Sequence, residues 1–246
     1  MTAFTPALIV VDFQEDFCPP NGSLAVPDGR SIAPAINSLL RLPFALKVAT
    51  RDWHPPDHIS FASTHNQQRQ QQEQDQEQEQ GQQKPPVQPF TSSHTITHPS
   101  SGARYTTTLW PVHCVAGTPG AALVPELDAA RLDRVLDKGR RADREMYSAF
   151  RDPFGESDSG LAAALRAAGV THVYVAGLAL DYCVRATAEH AAELGFATAV
   201  LDDATRAVFP DARDGVLAAL RARGVDVVPC SAAAERVASG AATQSC

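Results

Sequence analysis

Six short apolar runs rich in β-branched residues alternate with helical patterns along this chain of 246 residues. The apolar runs are residues 7–11, 44–49, 134–136, 172–176, 197–201 and 225–228. The helical patterns are residues 32–41, 121–130, 159–168, 182–194 and 211–222. This alternation predicts an α/β fold with a doubly wound, mostly parallel six-stranded sheet and helices on both faces. The length suits a single domain, residues 1–246.

A segment from about residue 66 to residue 103 interrupts the alternation. Residues 67–83 include 11 glutamines, and the prolines, serines, threonines and histidines that follow show no hydrophobic periodicity. Such a composition buries too little apolar surface to offset the entropy lost on ordering. We therefore predict a flexible surface insertion at about 66–103, and we expect deletion of residues 67–83 to leave activity nearly intact.

Charge and composition exclude several classes of partner. The net charge is −7 and no basic cluster with aromatic residues occurs, which argues against nucleic acid. No apolar run reaches the roughly 20 residues that a membrane-spanning helix needs, and the N-terminus does not resemble a signal peptide. Five cysteines without CxxC spacing argue against a disulfide framework and fit a reducing compartment. We expect an intracellular, cytoplasmic protein, although the sequence does not distinguish the cytoplasm from the nucleus or the peroxisome. It also leaves homo-oligomerisation open.

Cys183 stands where a predicted strand gives way to a helix. The apolar run ends at Gly177, and an alanine-rich helical pattern begins around Asp181. A thiol in the first turn of a helix meets unpaired N–H groups, so we expect Cys183 to lean toward the thiolate. A buried structural cysteine is the alternative reading of this segment alone.

Two charged residues are expected at the same edge of the sheet as Cys183. Asp12 follows the first apolar run and Lys138 ends the third. Because the carboxyl ends of parallel strands line one crevice, a carboxylate that moves protons and a cation that supports the thiolate can meet there. Taken singly, Asp12 could cap a turn and Lys138 could be solvated, but their shared position favours function.

A second group of residues has the composition of a metal site. Asp52 and His54 are two residues apart after the second run, so their side chains point the same way in extended backbone. His58 or the distant His113 could complete the set. Mixed oxygen and nitrogen ligation suits Zn, Fe or Mn, and the sequence does not choose among them.

Six motifs that contain these residues follow one another along the chain. They are Ile9-Val-Val-Asp-Phe-Gln, Arg51-Asp-Trp-His-Pro-x-x-His-Ile-Ser-Phe, Trp110-Pro-Val-His-Cys, Asp137-Lys-Gly, Asp143-Arg-Glu-x-Tyr-Ser-Ala-Phe and Gly177-Leu-Ala-x-x-Tyr-Cys-Val. In this order they resemble the motifs of the nicotinamidases, which are isochorismatase-like cysteine hydrolases with a three-layer α/β sandwich. The resemblance spans nearly the whole chain except the insertion and the C-terminal tail.

The resemblance implies an amidase that hydrolyses nicotinamide to nicotinate and ammonia through a cysteine thioester and serves NAD salvage. Cys183 resembles the nucleophile, Asp12 the general acid and base, and Lys138 the cation that supports both. The backbone N–H groups of Ala179 and Cys183 resemble the oxyanion hole, next to a cis peptide at Leu178–Ala179.

The resemblance also implies the ligand and substrate sites. Asp52, His54 and His113 correspond to the ligands of one divalent metal ion, for which zinc is our first expectation and iron or manganese are alternatives. His58 then orients the metal-binding loop without binding the ion. The aromatic walls around the pyridine ring of nicotinamide are assigned to a set of three residues: Phe13, Trp110 and Tyr147.

Three other functions compete with this reading. Another amidase of the superfamily, acting on a carbamoyl or ureido group, is disfavoured by the metal-ligand set. An isochorismatase-type hydrolase cleaves a vinyl ether and does not need the thiol. A non-catalytic binding module could lose a catalytic residue, yet Cys183, Asp12 and Lys138 are all present.

Overall fold

A six-stranded parallel sheet forms the centre of the protein in a computed structural model that describes residues 4–75 and 85–243. The strands are β1 (Pro6–Val11), β2 (Leu46–Asp52), β3 (Ser93–Thr97), β4 (Arg104–Thr108), β5 (Arg134–Lys138), β6 (His172–Leu178), β7 (Ala197–Arg206) and β8 (Asp226–Val228). The parallel sheet has the order β5-β2-β1-β6-β7-β8, and β3 and β4 form a separate antiparallel pair. All six strands expected from the apolar runs are confirmed.

Helices cover both faces of the sheet. They are α1 (Ala33–Leu40), α2 (Ala62–Asp75), α3 (Leu161–Ala167), α4 (Arg185–Glu193), α5 (Arg213–Ala222) and α6 (Cys230–Thr243). Successive strand side chains alternate between the faces. Leu8 packs in one apolar cluster with Ile36 of α1, and Ile9 packs in the other with Ala188 of α4 and Leu217 of α5. The doubly wound fold is therefore confirmed.

The helix expected at residues 121–130 is wrong. This region contains only short 3₁₀ turns at Pro119–Ala121 and Ala129–Arg131. Pro125 lies in the middle of it, where it cannot donate a helical hydrogen bond and its ring would clash with the preceding turn. The backbone N–H of Val124 instead donates to the carbonyl of Phe13, which ties the segment to the chain after β1.

The structure also places regular elements where the sequence predicts a flexible insertion. Helix α2 covers the first part of the glutamine tract, in keeping with the good helix propensity of glutamine. A hairpin of β3 and β4 follows, with Ser93 opposite Thr108. Residues 76–84, the rest of the tract, lie outside the described residues.

Near the C-terminus, α6 continues to Thr243 and buries Val237 in the same apolar cluster as Leu8. In the described parts of the chain, no helix has both the length and the apolar character needed to cross a membrane.

Candidate active site

The carboxyl ends of four neighbouring strands bring the predicted catalytic groups together. Asp12 follows β1, Asp52 ends β2, Lys138 ends β5, and Cys183 lies in the turn after β6. These strands are adjacent in the order β5-β2-β1-β6 and run in the same direction. Their ends therefore share one edge of the sheet, as the sequence predicts.

Lys138 contacts the other three groups of this cluster. Its Nζ lies 2.6 Å from Oδ1 of Asp52, 2.9 Å from Oδ2 of Asp12 and 3.5 Å from Sγ of Cys183. The carbonyl of Met146 accepts a further hydrogen bond from it at 3.0 Å. The lysine is 2% exposed, so its charge is balanced by the two carboxylates and not by water.

Burial and charge set the protonation of these groups. Burial raises the pKa of Asp12 to about 6, although Lys138 opposes the change. Burial opposes the charge of Lys138, but Asp12 and Asp52 outweigh it and raise the pKa of the lysine well above its ordinary value. At neutral pH, Asp12 is therefore an ionised carboxylate with an affinity for protons suited to acid–base work.

The expected thiolate at Cys183 is corrected by the structure. The residue lies in a single π turn, Leu180–Val184, that precedes α4, and it is 5% exposed. Burial raises the pKa of Cys183 well above the usual thiol value, and Lys138 offsets this only in part. A raised pKa favours the neutral thiol, so attack on a substrate requires a base. One carboxylate oxygen of Asp12 and the sulfur of Cys183 lie within 4.8 Å of each other, which places Asp12 where such a base would act.

Beside this cluster, Asp52, His54 and His113 converge on one point. Potential ligand atoms of the three buried side chains all lie within 4.8 Å of one another. Nδ1–H of His54 donates to the carbonyl of Gly139 at 2.8 Å, and Nδ1–H of His113 donates to that of Pro111 at 2.8 Å. In its neutral form, each ring therefore keeps Nε2 as the nitrogen with a lone pair.

An unsatisfied buried atom supports a metal ion at this point. Nε2 of His54 lies 3.5 Å from Oδ2 of Asp52 and makes no hydrogen bond in the described part of the chain. A buried polar atom without a partner is costly unless something else binds it. One carboxylate and two imidazole nitrogens form a donor set that a divalent transition metal takes readily.

His58 supports the metal-binding loop. Its Nδ1 accepts from the Ser60 hydroxyl at 2.7 Å, and its Nε2–H donates to the carbonyl of Arg144 at 3.0 Å. Its ring stacks on His54 with centroids 3.9 Å apart. Because both ring nitrogens are engaged, His58 has none left for a metal, which agrees with the orienting role implied by the resemblance.

Glu145 is a site residue that sequence reasoning missed. It is 2% exposed and lines the cleft together with Asp52, His113 and Cys183. Burial raises its pKa. One of its carboxylate oxygens lies within 4.8 Å of ligand atoms of His54 and His58. Its place in a charged stretch, Asp143-Arg-Glu, resembles a solvated loop in sequence, so nothing in the pattern signalled its burial.

Aromatic side chains form the walls of the cleft above Cys183. Trp110 and Tyr147 line it, as expected, and Tyr182 joins them with its ring centroid 4.8 Å from that of Trp110. Phe13 is not among the lining residues. It is fully buried in the apolar cluster beneath the site, and Phe17 lines the cleft instead. The chain turns sharply at Asp12, where φ is 45°, and the residue after it enters the core.

The segment before Cys183 has the expected backbone features. The peptide between Leu178 and Ala179 is cis, and Ala179 lines the cleft beside Cys183. The role of their backbone N–H groups as an oxyanion hole stays a prediction.

Known proteins resemble this chain over most of its length. The Isochorismatase domain family matches residues 6–231. The nicotinamidase of Saccharomyces cerevisiae is 37% identical over 229 residues, which are 90% of this chain and 98% of that protein. The crystal structure of the yeast nicotinamidase bound to the inhibitor nicotinaldehyde has a TM-score of 0.77 at 36% identity and covers 92% of this chain and 100% of that chain. The pyrazinamidase of Pyrococcus horikoshii in complex with zinc has a TM-score of 0.65 at 34% identity, with 91% and 98% covered.

Proposed function

The chain belongs to the isochorismatase domain family, and from that premise we propose that it hydrolyses nicotinamide to nicotinate and ammonia. The observation that carries the proposal is the position of Lys138 between Asp12 and Cys183, beside a buried set of metal-binding side chains. Nicotinate is then available for NAD salvage. We also infer an intracellular location, since four cysteines of the described chain are free thiols.

The first half of the reaction forms a thioester. In this proposal the pyridine ring enters the cleft lined by Trp110 and Tyr147, with its carboxamide carbon close to Cys183, which lines the same cleft. Asp12 accepts the thiol proton as sulfur attacks that carbon, and the N–H groups of Ala179 and Cys183 stabilise the oxyanion. Asp12 then donates the proton to the departing nitrogen, so ammonia leaves and the thioester remains.

The second half returns the enzyme to its starting state. Asp12 accepts a proton from a water molecule, whose oxygen attacks the thioester carbon. The tetrahedral intermediate expels the sulfur of Cys183, which regains its proton from Asp12 as nicotinate leaves. Lys138 stays charged throughout and stabilises whichever partner carries the negative charge, since it contacts both.

Asp52, His54 and His113 hold one divalent ion in this proposal. We favour zinc, because the Pyrococcus horikoshii pyrazinamidase was crystallised with it, and iron or manganese suit the same donors. Such an ion would supply a Lewis acid for the pyridine nitrogen and so help to orient the ring.

Ammonia release from nicotinamide tests the proposal, before and after chelation of metal. We expect turnover that Cys183→Ala lowers at least about 10⁴-fold, in line with the loss of other catalytic nucleophiles. Cys230→Ala is the matched control, because that thiol lies at the start of α6, outside the cleft. Full activity in Cys183→Ala would refute the thioester mechanism. A wild-type enzyme silent on nicotinamide would refute the substrate.

A further inference from the structure

The hairpin of β3 and β4 contacts the active site; its first strand lies in the predicted flexible insertion and its second strand directly follows it. Tyr105 and Thr107 of β4 are two residues apart, so their side chains share one face of the strand. The backbone N–H of Glu145 donates to the hydroxyl of Tyr105 at 2.8 Å, and the hydroxyls of Thr107 and Tyr147 lie 2.7 Å apart. Strand β4 is thus bonded to both ends of the segment 145–147.

All three residues of that segment reach the site. Glu145 and Tyr147 line the cleft, and the carbonyl of Met146 between them accepts a hydrogen bond from Lys138. A shift of this segment would therefore move a wall of the cleft and a partner of the buried lysine together.

Hydrogen bonds connect Trp110, Tyr147 and Thr107 in a chain. The indole nitrogen of Trp110 can only donate, and it donates to the Tyr147 hydroxyl at 3.0 Å. The Tyr147 hydroxyl can then donate to Thr107, whose own hydroxyl is directed to the carbonyl of Thr108 at 3.4 Å. Thr107 is 2% exposed, so water does not readily replace it in this chain of bonds.

The tip of the hairpin is also attached to the body of the protein. Nε2 of His98 lies 2.6 Å from a carboxylate oxygen of Glu156. The ring of Phe154 packs against both His98 and Tyr105, with centroids 5.1 Å and 4.9 Å away. Fixed at its tip and along β4, the hairpin can hold the segment 145–147 in one place.

We propose that Thr107 is a positioning residue that fixes Tyr147 and, through it, Trp110 as the two walls of the substrate cleft. Tyr105, two residues before Thr107 on β4, supports the same segment by accepting a hydrogen bond from the backbone of Glu145. The inference rests on the proposed function, which assigns the pyridine ring to the space between these walls. This role makes the hairpin of β3 and β4 a structural component of the active site.

Thr107→Val tests the proposal because it keeps the shape of the side chain and removes the hydroxyl. We expect KM for nicotinamide to rise about tenfold, which corresponds to about 1.4 kcal/mol, with kcat changed less than about threefold. Thr107→Ser should restore the wild-type KM. Thr106→Val is the matched control, since the Thr106 hydroxyl pairs with Thr95 on the exposed face of the hairpin. If Thr107→Val has the same KM for nicotinamide as Thr106→Val, the proposal is overturned.

A readout without substrate separates this proposal from the proposed function. The chain has two tryptophans, and the indole proton of Trp110 is the one bonded to Tyr147. In Thr107→Val this proton should exchange with deuterium faster than in wild type, while Thr107→Ser and Thr106→Val should match wild type. If the wild-type enzyme does not hydrolyse nicotinamide, the proposed function fails. The exchange rate of the Trp110 indole proton then tests the positioning role of Thr107 by itself. Equal exchange in Thr107→Val and Thr106→Val would then overturn the positioning role.

Discussion

The ammonium group of Lys138 lies 3.5 Å from the sulfur of Cys183, and both residues are almost fully buried. The same group contacts Asp12 and Asp52, so one cation neutralises both the proposed acid–base carboxylate and a proposed metal ligand. In the proposed function, catalysis and metal binding are therefore linked through a single buried charge.

Replacing Lys138 with methionine should damage both stability and activity. The carboxylates of Asp12 and Asp52 would lose their buried counter-charge, which typically costs about 3–5 kcal/mol. We expect that loss in the free energy of unfolding in urea, and a decrease of at least about 10²-fold in kcat. Lys47→Met, on the neighbouring strand and partly exposed, is the control. A Lys138→Met protein as stable as this control would contradict the counter-charge role.

The pH dependence of kcat/KM should follow the ionisation of the Asp12 carboxyl. Its carboxyl must be ionised to accept the thiol proton, and its pKa is raised to about 6. Activity should therefore be full above this pH, and kcat/KM should fall about tenfold per unit below it. The hydroxyl of Thr50 donates to Asp12 at 2.7 Å and stabilises the ionised form, so Thr50→Val should move the inflection to higher pH. Measurements of kcat/KM between pH 4.5 and 8, with circular dichroism to confirm folding, test this prediction. A flat profile down to pH 5 would exclude Asp12 as the base.

Much of this site follows from the order of elements in the sequence. Asp12, Lys138 and Cys183 each follow a short apolar run, and parallel strands bring such positions to one edge. The strand alternation could be predicted because fully buried strands are continuous apolar runs.

Other features depend on tertiary contacts that no local pattern records. The direction of Phe13 depends on the positive φ of Asp12, and the backbone N–H of Glu145 donates to Tyr105 in a hairpin distant in sequence. The thiol state of Cys183 depends on burial, which outweighs the effect of the turn around it. The mobility of residues 66–103 stays a prediction.

Gly139 should prove necessary for metal binding. Its φ is 65°, and a Cβ added there would lie 2.5 Å from Cε1 and 2.7 Å from Nδ1 of His54. Gly139→Ala should therefore displace the ring and lower metal affinity about 10–100-fold, as loss of other supporting contacts does. Titration of the metal-free protein with zinc against a competing chelator measures this. Gly215→Ala is the control, because a Cβ on that residue of α5 meets nothing within 4 Å. Equal affinities in the two variants would show that His54 tolerates the displacement.

Two deletions should distinguish the dispensable glutamine tract from the hairpin that contacts the active site. The side chain of Asn66 bonds to both backbone groups of Val87, at 2.9 Å and 3.1 Å, so the chain on either side of residues 67–83 is already close together. Removing residues 67–83 should therefore leave the β3–β4 hairpin in place and kcat/KM within about threefold of wild type, because loop length has a small entropic cost.

Removing residues 89–108 instead deletes Thr107 and the support of Glu145, and should abolish turnover. Ammonia release and thermal unfolding of both variants provide the comparison. If removal of residues 67–83 stops turnover in a folded protein, the glutamine tract is not passive. If the hairpin deletion is as active as wild type, the cleft holds its walls without β4.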